Sequence, residues 1–472
     1  MFPLFDQSVG LLMIAVYAIF AFGLTSWFAK NYDRTKESFL VADRTVPYWQ
    51  GSMAVGASWI WAPGLFVAAQ QGFNNGLAGV FWFSLGNFFS LIIFSYAAKK
   101  IRDQYSEGFT LSQWFRGKYG KFIQFLVLIN TALYALQGIT INLFAGSKSV
   151  TLLSGLPQLL VSVLLVAIAL TYSWRGGLKA SIATDIAKIV AIWIGMIIVG
   201  VCVFGHTGFD PVIAGAAGKS GAGTTLFSSP LALGLFFGFG VPTVVGHLAM
   251  SWSDNSNYQN AFSMTPDVVR KAFITAPLYW LILPTLGGMI GMLAAGLNYD
   301  VKGPDTGFIN IVVMAKEVGS WLPFVYMAVV FAGLVSIIDT QMLSAGNIGG
   351  NDVHDSANGS NAIQWGRWAM VVLAVFGVAL ANIPGLDINT IFVFSKSLTL
   401  VFFAPIAMAI VAGNHLTKQG FIAGSIVGMF VGLPVFTYGQ FWGGGSQIIA
   451  LGVVIQVFGS AAVTWIVSKL TA

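Results

Sequence analysis

The chain has 472 residues, of which 56% are hydrophobic and only 8% charged, with a mean hydropathy of +0.79. Soluble domains carry about a quarter of their residues as charges, so this composition excludes a string of them and specifies an all-α polytopic membrane protein. The net charge of +6 then reports orientation in a bilayer, and a nucleic-acid partner is a poor second reading.

The first apolar stretch begins at Val9 and is preceded by Asp6 with no Lys or Arg, so it lacks the basic flank of a cleaved signal peptide and reads as a span. Windows of about 20 apolar residues place spans near 9–29, 47–71, 76–98, 121–147, 155–173, 180–204, 228–252, 271–296, 320–348, 363–383, 387–412, 419–440 and 445–468, thirteen in all. An odd count puts the termini on opposite sides. With the N-terminus outside, 17 basic residues fall inside, 4 (Lys148, Lys219, Lys302, Lys316) fall outside, and Lys188 and Lys396 lie within spans. That asymmetry follows the positive-inside rule and predicts a multi-pass protein of a plasma or inner membrane with a cytoplasmic C-terminus.

In the second span, residues 55–64 run through Gly56, Ala57 and Ser58 to Trp59, Ile60, Trp61, Ala62, Pro63 and Gly64. A helix in lipid must satisfy its backbone internally, so small residues followed by Pro-Gly at mid-depth predict a break buried among other helices. Carbonyls and amides freed there can hold an ion or a polar solute near the midplane; a packing kink is the alternative. Five spans later, Gly238, Gly240, Pro242 and Gly246 interrupt residues 238–246 in the same way. Two broken helices in corresponding positions predict two five-helix repeats, 47–204 and 228–412, within a single transmembrane transporter domain. Residues 9–29 then form an extra helix and 419–468 the C-terminal helices. The 308–318 segment is too short to cross and reads as an interfacial helix, and no appended soluble domain is expected.

The single Cys202 and four scattered histidines (His206, His247, His354, His415) have no ligand spacing, and no catalytic elbow such as G-x-S-x-G is present. These observations predict no cofactor and no enzyme. Ionisable residues inside spans are instead signs of an ion pathway. Span 9 carries Gly333, Ser336, Asp339, Thr340 and Ser344 at helical spacing, and span 6 carries Ser181, Asp185 and Lys188 on one face. An Asp185–Lys188 ion pair is the structural alternative.

A small polar solute needs a few placed hydrogen-bond groups in an apolar or aromatic cavity. Candidates are Ser58, Trp59 and Trp61; Trp82 and Asn87; Tyr134, Gln137 and Asn142; Thr243 and His247; and Ser395, Lys396 and Ser397. Each has a plainer reading. Indoles serve as interfacial anchors, Gln137 and Asn142 as interhelical hydrogen-bond partners, and His247 as a satisfied buried histidine. Lys396 is expected to snorkel outward or pair with an acidic group.

Several stretches resemble the sodium:solute symporter family: Phe39-Leu40-Val41-Ala42-Asp43-Arg44, then Gly176-Gly177-Leu178-Lys179-Ala180 with Thr184-Asp185, and Ser336-Ile337-Ile338-Asp339-Thr340-Gln341. The resemblance covers essentially the whole chain and implies a LeuT-type 5+5 inverted repeat with one extra N-terminal and two extra C-terminal helices. Within the family, Ser58-Trp59-Ile60-Trp61-Ala62, Gln71-Gly72-Phe73, Gly79-Val80-Phe81-Trp82-Phe83 and the 254–259 stretch followed by Ala261 are similar to the urea permeases of plants and fungi.

The resemblance implies an ion-coupled secondary active symporter importing a small polar solute, urea first, by alternating access. A proline-like amino acid, an osmolyte or another small solute is the alternative, and a gradient-independent facilitator or channel is the rival class. It implies a sodium site built from the Ala57, Ile60 and Gly333 carbonyls and the Ser336 hydroxyl. The second hydroxyl of that site is replaced by Ile337, and an acid that many relatives carry is replaced by Trp59. The coupling ion is therefore left as Na+ or H+. Asp185, Asp339 and Thr340 match a second ion locus, where two carboxylates at close range need a cation between them or a proton on one. The partners implied are the solute and the lipid bilayer, with no obligatory protein partner.

Overall fold

A computed structural model describes residues 3–29, 35–353 and 359–472; Lys30 and Arg34, counted above among the basic residues, and His354 lie outside the described residues. Helix α1 (Gln7–Ala29) is followed by α2 (Lys36–Val41), whose first turn is capped by the Thr35 hydroxyl accepting the Ser38 amide. Then α3 (Tyr48–Ala57) and α4 (Ala62–Gln104) carry the chain through a break and a further turn at Gly76, where φ is +58° and only glycine is unstrained. After α5 (Leu111–Tyr119) come α6 (Lys121–Ser154) and α7 (Gln158–Thr207); α7 turns at Gly177, so that one helical run holds two predicted spans.

The second half begins with α8 (Asp210–Ala214), α9 (Pro230–Leu235), α10 (Val241–Ser253) and α11 (Asn255–Ser263). It continues through α12 (Val269–Trp280), α13 (Ile282–Gly296), α14 (Ile309–Val313), α15 (Trp321–Ile348) and α16 (Gly359–Ala381). Helices α17 (Ile388–Leu400) and α18 (Phe403–Ala412) meet at a 44° bend. The chain ends in α19 (Lys418–Val427), α20 (Leu433–Phe441), α21 (Gly445–Val454) and α22 (Ser460–Thr471). Among the described residues, nine helices are long and apolar enough to cross a membrane, or ten if the bent pair is one span. Gln7–Gly23 and Gln158–Thr171 are apolar but shorter, and the first broken crossing is in two pieces. Apolar windows therefore count more spans than there are long helices.

The break expected in residues 55–64 is present. The Ile60 amide reaches back to the Ala57 carbonyl, the Trp61 amide to the Trp59 carbonyl, and Trp61 is extended (φ −85°, ψ 132°). Pro63 falls in the first turn of α4, where its missing N–H costs nothing. The Asn142 side-chain oxygen of α6 accepts the Ala62 amide at 3.1 Å, so one exposed donor of the half-helix is satisfied across the bundle.

The second break is not where the sequence placed it. Residues 238–246 stay helical: a π-helical turn over Phe236–Gly240 runs straight into α10. Such a turn accommodates the donor missing at Pro242 without ending the helix. The glycines there serve close packing instead, Gly240 facing the Trp82 indole and Gly246 the Lys396 stem. The interruption comes at Asp254 (φ −80°, ψ 105°), whose carboxylate accepts the Ser256 amide at 2.9 Å and caps α11. The 308–318 segment is helical, but Phe308, Ile309, Ile311, Val313 and Met314 are buried. It packs against α4 and α13, so its apolar side chains are covered by protein.

Candidate functional site

Residues of the first break line a pocket with α10 and α17; α6 packs against those two helices, and α15 against α3 and α4. One cluster of candidates is a tight aromatic pocket. Trp59, Trp61, Phe83, Asn87, His247, Trp280, Phe392 and Lys396 line it, and it encloses only about 10 Å³, roughly the space one water needs. A solute therefore requires the walls to part. The Asn87 amide donates to the Phe83 carbonyl at 2.9 Å. Among the described residues, Trp59 Nε1 and His247 Nδ1 have no hydrogen-bond partner. Lys396 neither snorkels nor pairs with an acid, contrary to expectation. Its Nζ is buried against Met250 Sδ, 4.1 Å from the Phe392 ring centre and 5.6 Å from that of Trp61. Among the described residues, no carboxylate comes within ion-pair distance of it.

A second cluster lies at the other edge of Trp61. The Tyr134 ring on α6 meets Trp61 edge-on with centroids 6.2 Å apart, and its hydroxyl lies beside the Asp254 carboxylate without reaching hydrogen-bond geometry. Gln341 on α15 donates to Asp254 over a long 3.4 Å. Both amide atoms of Gln137 and the Gln341 oxygen are buried and lack partners among the described residues. Buried amides left open in this way are costly unless something else bonds to them. Sequence reasoning missed Gln341 and the capping role of Asp254; the run of Asp and Asn after Ser253 was the available signal.

A third cluster is ionic. Ser336 Oγ of α15 donates to Asp185 Oδ1 at 2.8 Å, and Lys188 Nζ lies 3.0 Å from the same oxygen and 3.9 Å from Asp339 Oδ2. Asp339 also accepts the Ser173 hydroxyl at 2.6 Å and the Ser181 hydroxyl. All these side chains are buried. The two carboxylates thus converge, and Lys188 bridges them. Ser173 was not singled out from the sequence, because it belongs to the turn before Gly177 and joins the face only through the α7 kink.

The sodium-type position is only partly assembled. Gly333 lies directly against the Ile60 carbonyl, so α15 abuts the break. The Ala57 carbonyl is taken by the Ile60 amide, Ser336 is turned to Asp185, and Ile337 is buried and has no oxygen to offer. Thr340 closes back on the Ser336 carbonyl at 2.7 Å. A hard cation that prefers several oxygens finds a thin set here.

Other candidates stand apart. Ser58 and Ser395 bond to carbonyls of their own helices (Val55 and Phe392). Asn142 is committed to the first break, Ser397 to Gln456, and Trp82 to an aromatic group with Phe81, Phe227 and Phe236. Thr243 lies one turn before His247 with its hydroxyl unpartnered among the described residues, but it is not part of the pocket wall.

A bundle with two discontinuous helices, buried polar clusters between them and an ionic cluster on the flank is built as a membrane transporter. The chain belongs to the sodium:solute symporter family, whose model matches residues 39–428. It is 21% identical to the "Urea-proton symporter DUR3" of Oryza sativa subsp. japonica, over 92% of this chain and 66% of that one. It is 23% identical to the "Probable urea active transporter 1" of Schizosaccharomyces pombe, over 80% of this chain and 62% of the relative. The chain thus spans about two thirds of the length of these curated relatives. Its fold is that of LeuT-type transporters. It superposes on a Na+-coupled sialic acid symporter in a substrate-bound outward-open state with TM-score 0.71 and 13% identity, covering 98% of each chain. Mhp1, a nucleobase-cation-symport-1 family transporter, matches with TM-score 0.56 and 13% identity, over 92% of this chain and 95% of that one.

Proposed function

We propose that this protein is an ion-coupled symporter that imports a small, neutral polar solute, urea before others, by alternating access across a plasma or inner membrane. The N-terminus is outside and the C-terminus cytoplasmic, and residues 47–204 and 228–412 form the two repeats. The observation that carries the reading is a set of buried polar atoms that find no partner among the described residues: Trp59 Nε1 in the aromatic pocket with Trp61, both amide atoms of Gln137 on α6, and the Gln341 oxygen on α15. Urea is flat and uncharged, with amide donors and one carbonyl acceptor, so it stacks on an indole and bonds to amides without adding net charge. The family supports solute symport in general, and the names of the plant and fungal relatives support urea as the solute.

The test is uptake of labelled urea and proline into proteoliposomes with sodium and proton gradients imposed separately. Concentrative urea uptake is expected, and Trp59→Ala should raise its half-saturation concentration about tenfold, the loss of roughly 1.4 kcal/mol of binding. Uptake that persists at full rate with both gradients collapsed would instead mark a facilitator, and an unchanged half-saturation value would take Trp59 out of the pocket.

A second reading is favoured by one residue. Lys396 is fully buried in the pocket wall, and a solute bearing a carboxylate, such as an amino acid, would pair with it. Hydrogen bonds to charged groups are worth about 1.5–3 kcal/mol, so Lys396→Met should weaken carboxylate uptake by roughly 10- to 100-fold. If urea is the solute, the same variant should alter urea uptake by no more than a few-fold.

A further inference from the structure

We propose that the Lys188 ammonium is the resident cation at the α7–α15 junction, occupying the oxygen-lined place in which a coupled sodium ion would otherwise sit, so that this protein neither binds nor uses sodium there. The proposal deepens the ion-coupled reading by naming which ion the site refuses.

The donor set is that of a small hard cation. Asp185 Oδ1, the Asp339 carboxylate and the Ser336 hydroxyl converge on one buried locus, and Ser173 and Ser181 orient Asp339. Carboxylates and hydroxyls are the ligands that oxygen-seeking metal ions take. An ammonium is a compact point charge with three donors, so it satisfies the same oxygens. Lys188 Nζ is already among them, 3.0 Å from Asp185 and 3.9 Å from Asp339. A sodium ion brought to the same oxygens would stand within a few ångströms of that charge in a buried place, where like charges repel strongly.

Two features hold the ammonium inward. Asp185 lies three residues before Lys188 on α7, on the same face of the helix. The aliphatic stem runs along an apolar cleft of about 330 Å³ between α1 and α15, with Tyr17, Thr184, Phe331 and Val335 among its walls. The usual tendency of lysine to carry its head outward is reversed here, because the cleft walls are mostly apolar while the carboxylates lie behind the head. The neighbouring sodium-type position agrees. Ile337 supplies no oxygen, and the Ser336 hydroxyl is directed at Asp185.

The test needs no solute, so its result is independent of whether urea is the cargo. Purified protein is melted in sodium chloride and in N-methyl-D-glucamine chloride at equal ionic strength, and equilibrium binding of radioactive sodium is measured in parallel. For the wild type, the two melting midpoints should coincide and saturable sodium binding should be absent. Lys188→Ala, which leaves the carboxylates and Ser336 facing each other without the ammonium, should gain a sodium-selective rise of a few degrees. Lys188→Arg, which keeps the charge, should not gain it. A sodium-selective rise or saturable sodium binding in the wild type overturns the proposal, as does a folded Lys188→Ala that stays indifferent to sodium. If Lys188→Ala does not fold, the wild-type measurements decide alone.

Discussion

Asp339→Asn is expected to abolish concentrative uptake while leaving the protein folded. The asparagine is nearly the same size and keeps an oxygen for one of the two serine hydroxyls now bonded to Asp339, Ser173 and Ser181. The other hydroxyl can rotate and accept from the new amide nitrogen, because a serine oxygen is both donor and acceptor. Lys188 keeps Asp185 at 3.0 Å, so the substitution does not strand a buried charge, the event that usually costs about 3–5 kcal/mol. What disappears is one negative charge from the locus that joins α7 to α15. Ionisable groups inside a membrane protein commonly mark an ion or proton pathway. The measurement is the ratio of internal to external solute in proteoliposomes at steady state, alongside the melting midpoint. The ratio should fall to that of a passive leak with the midpoint nearly unchanged. Wild-type accumulation would return Asp339 to a purely structural role.

Asp254→Asn should separate charge from capping at the second break. Asparagine caps a helix as well as aspartate does, so α11 keeps its first turn and the melting midpoint should hold. The carboxylate charge facing Gln341 and Tyr134 is lost. If Asp254 contacts the solute on its way past Trp61, losing a charged acceptor worth about 1.5–3 kcal/mol should weaken uptake roughly 10- to 100-fold. Asp254→Ala removes the cap as well and should add about 0.5–2 kcal/mol of destabilisation. An unchanged half-saturation value in the asparagine variant would leave Asp254 as a cap and nothing more.

The two breaks differ in how far the sequence reveals them. At residues 55–64, Pro63 and Gly64 come shortly after a run of small residues, and the helix ends at Ala57 and resumes at Ala62. At 238–246 the same letters mislead. Pro242 is absorbed by a π-helical turn, and Gly240 and Gly246 are spent on close contact with Trp82 and Lys396. The real interruption uses an N-cap aspartate, a local signal that a search for proline and glycine passes over.

The polar stripe on α15 shows the same limit at the level of the site. Helical spacing alone places Ser336, Asp339 and Thr340 on one side of the helix. It does not say that Thr340 will bond back to the Ser336 carbonyl while Ser336 and Asp339 reach across to α7. Nor does it say that Lys396 will be buried between Phe392 and Trp61, since a lysine in a span ordinarily carries its head outward.

The sequence by itself determined what depends on composition and short-range periodicity: a helical membrane protein, its family, the first broken helix and the residues that share a face of α15. Tertiary structure decided what meets what. Asp339 and Ser173 are 166 residues apart, Asp254 and Gln341 are 87 apart, and neither pair follows from any local rule. Burial makes such pairings favourable, because an ionic or amide group left unpaired inside the bundle is costly. Which partner it finds depends on how α7, α10 and α15 pack, and that packing placed Lys188 among the carboxylates.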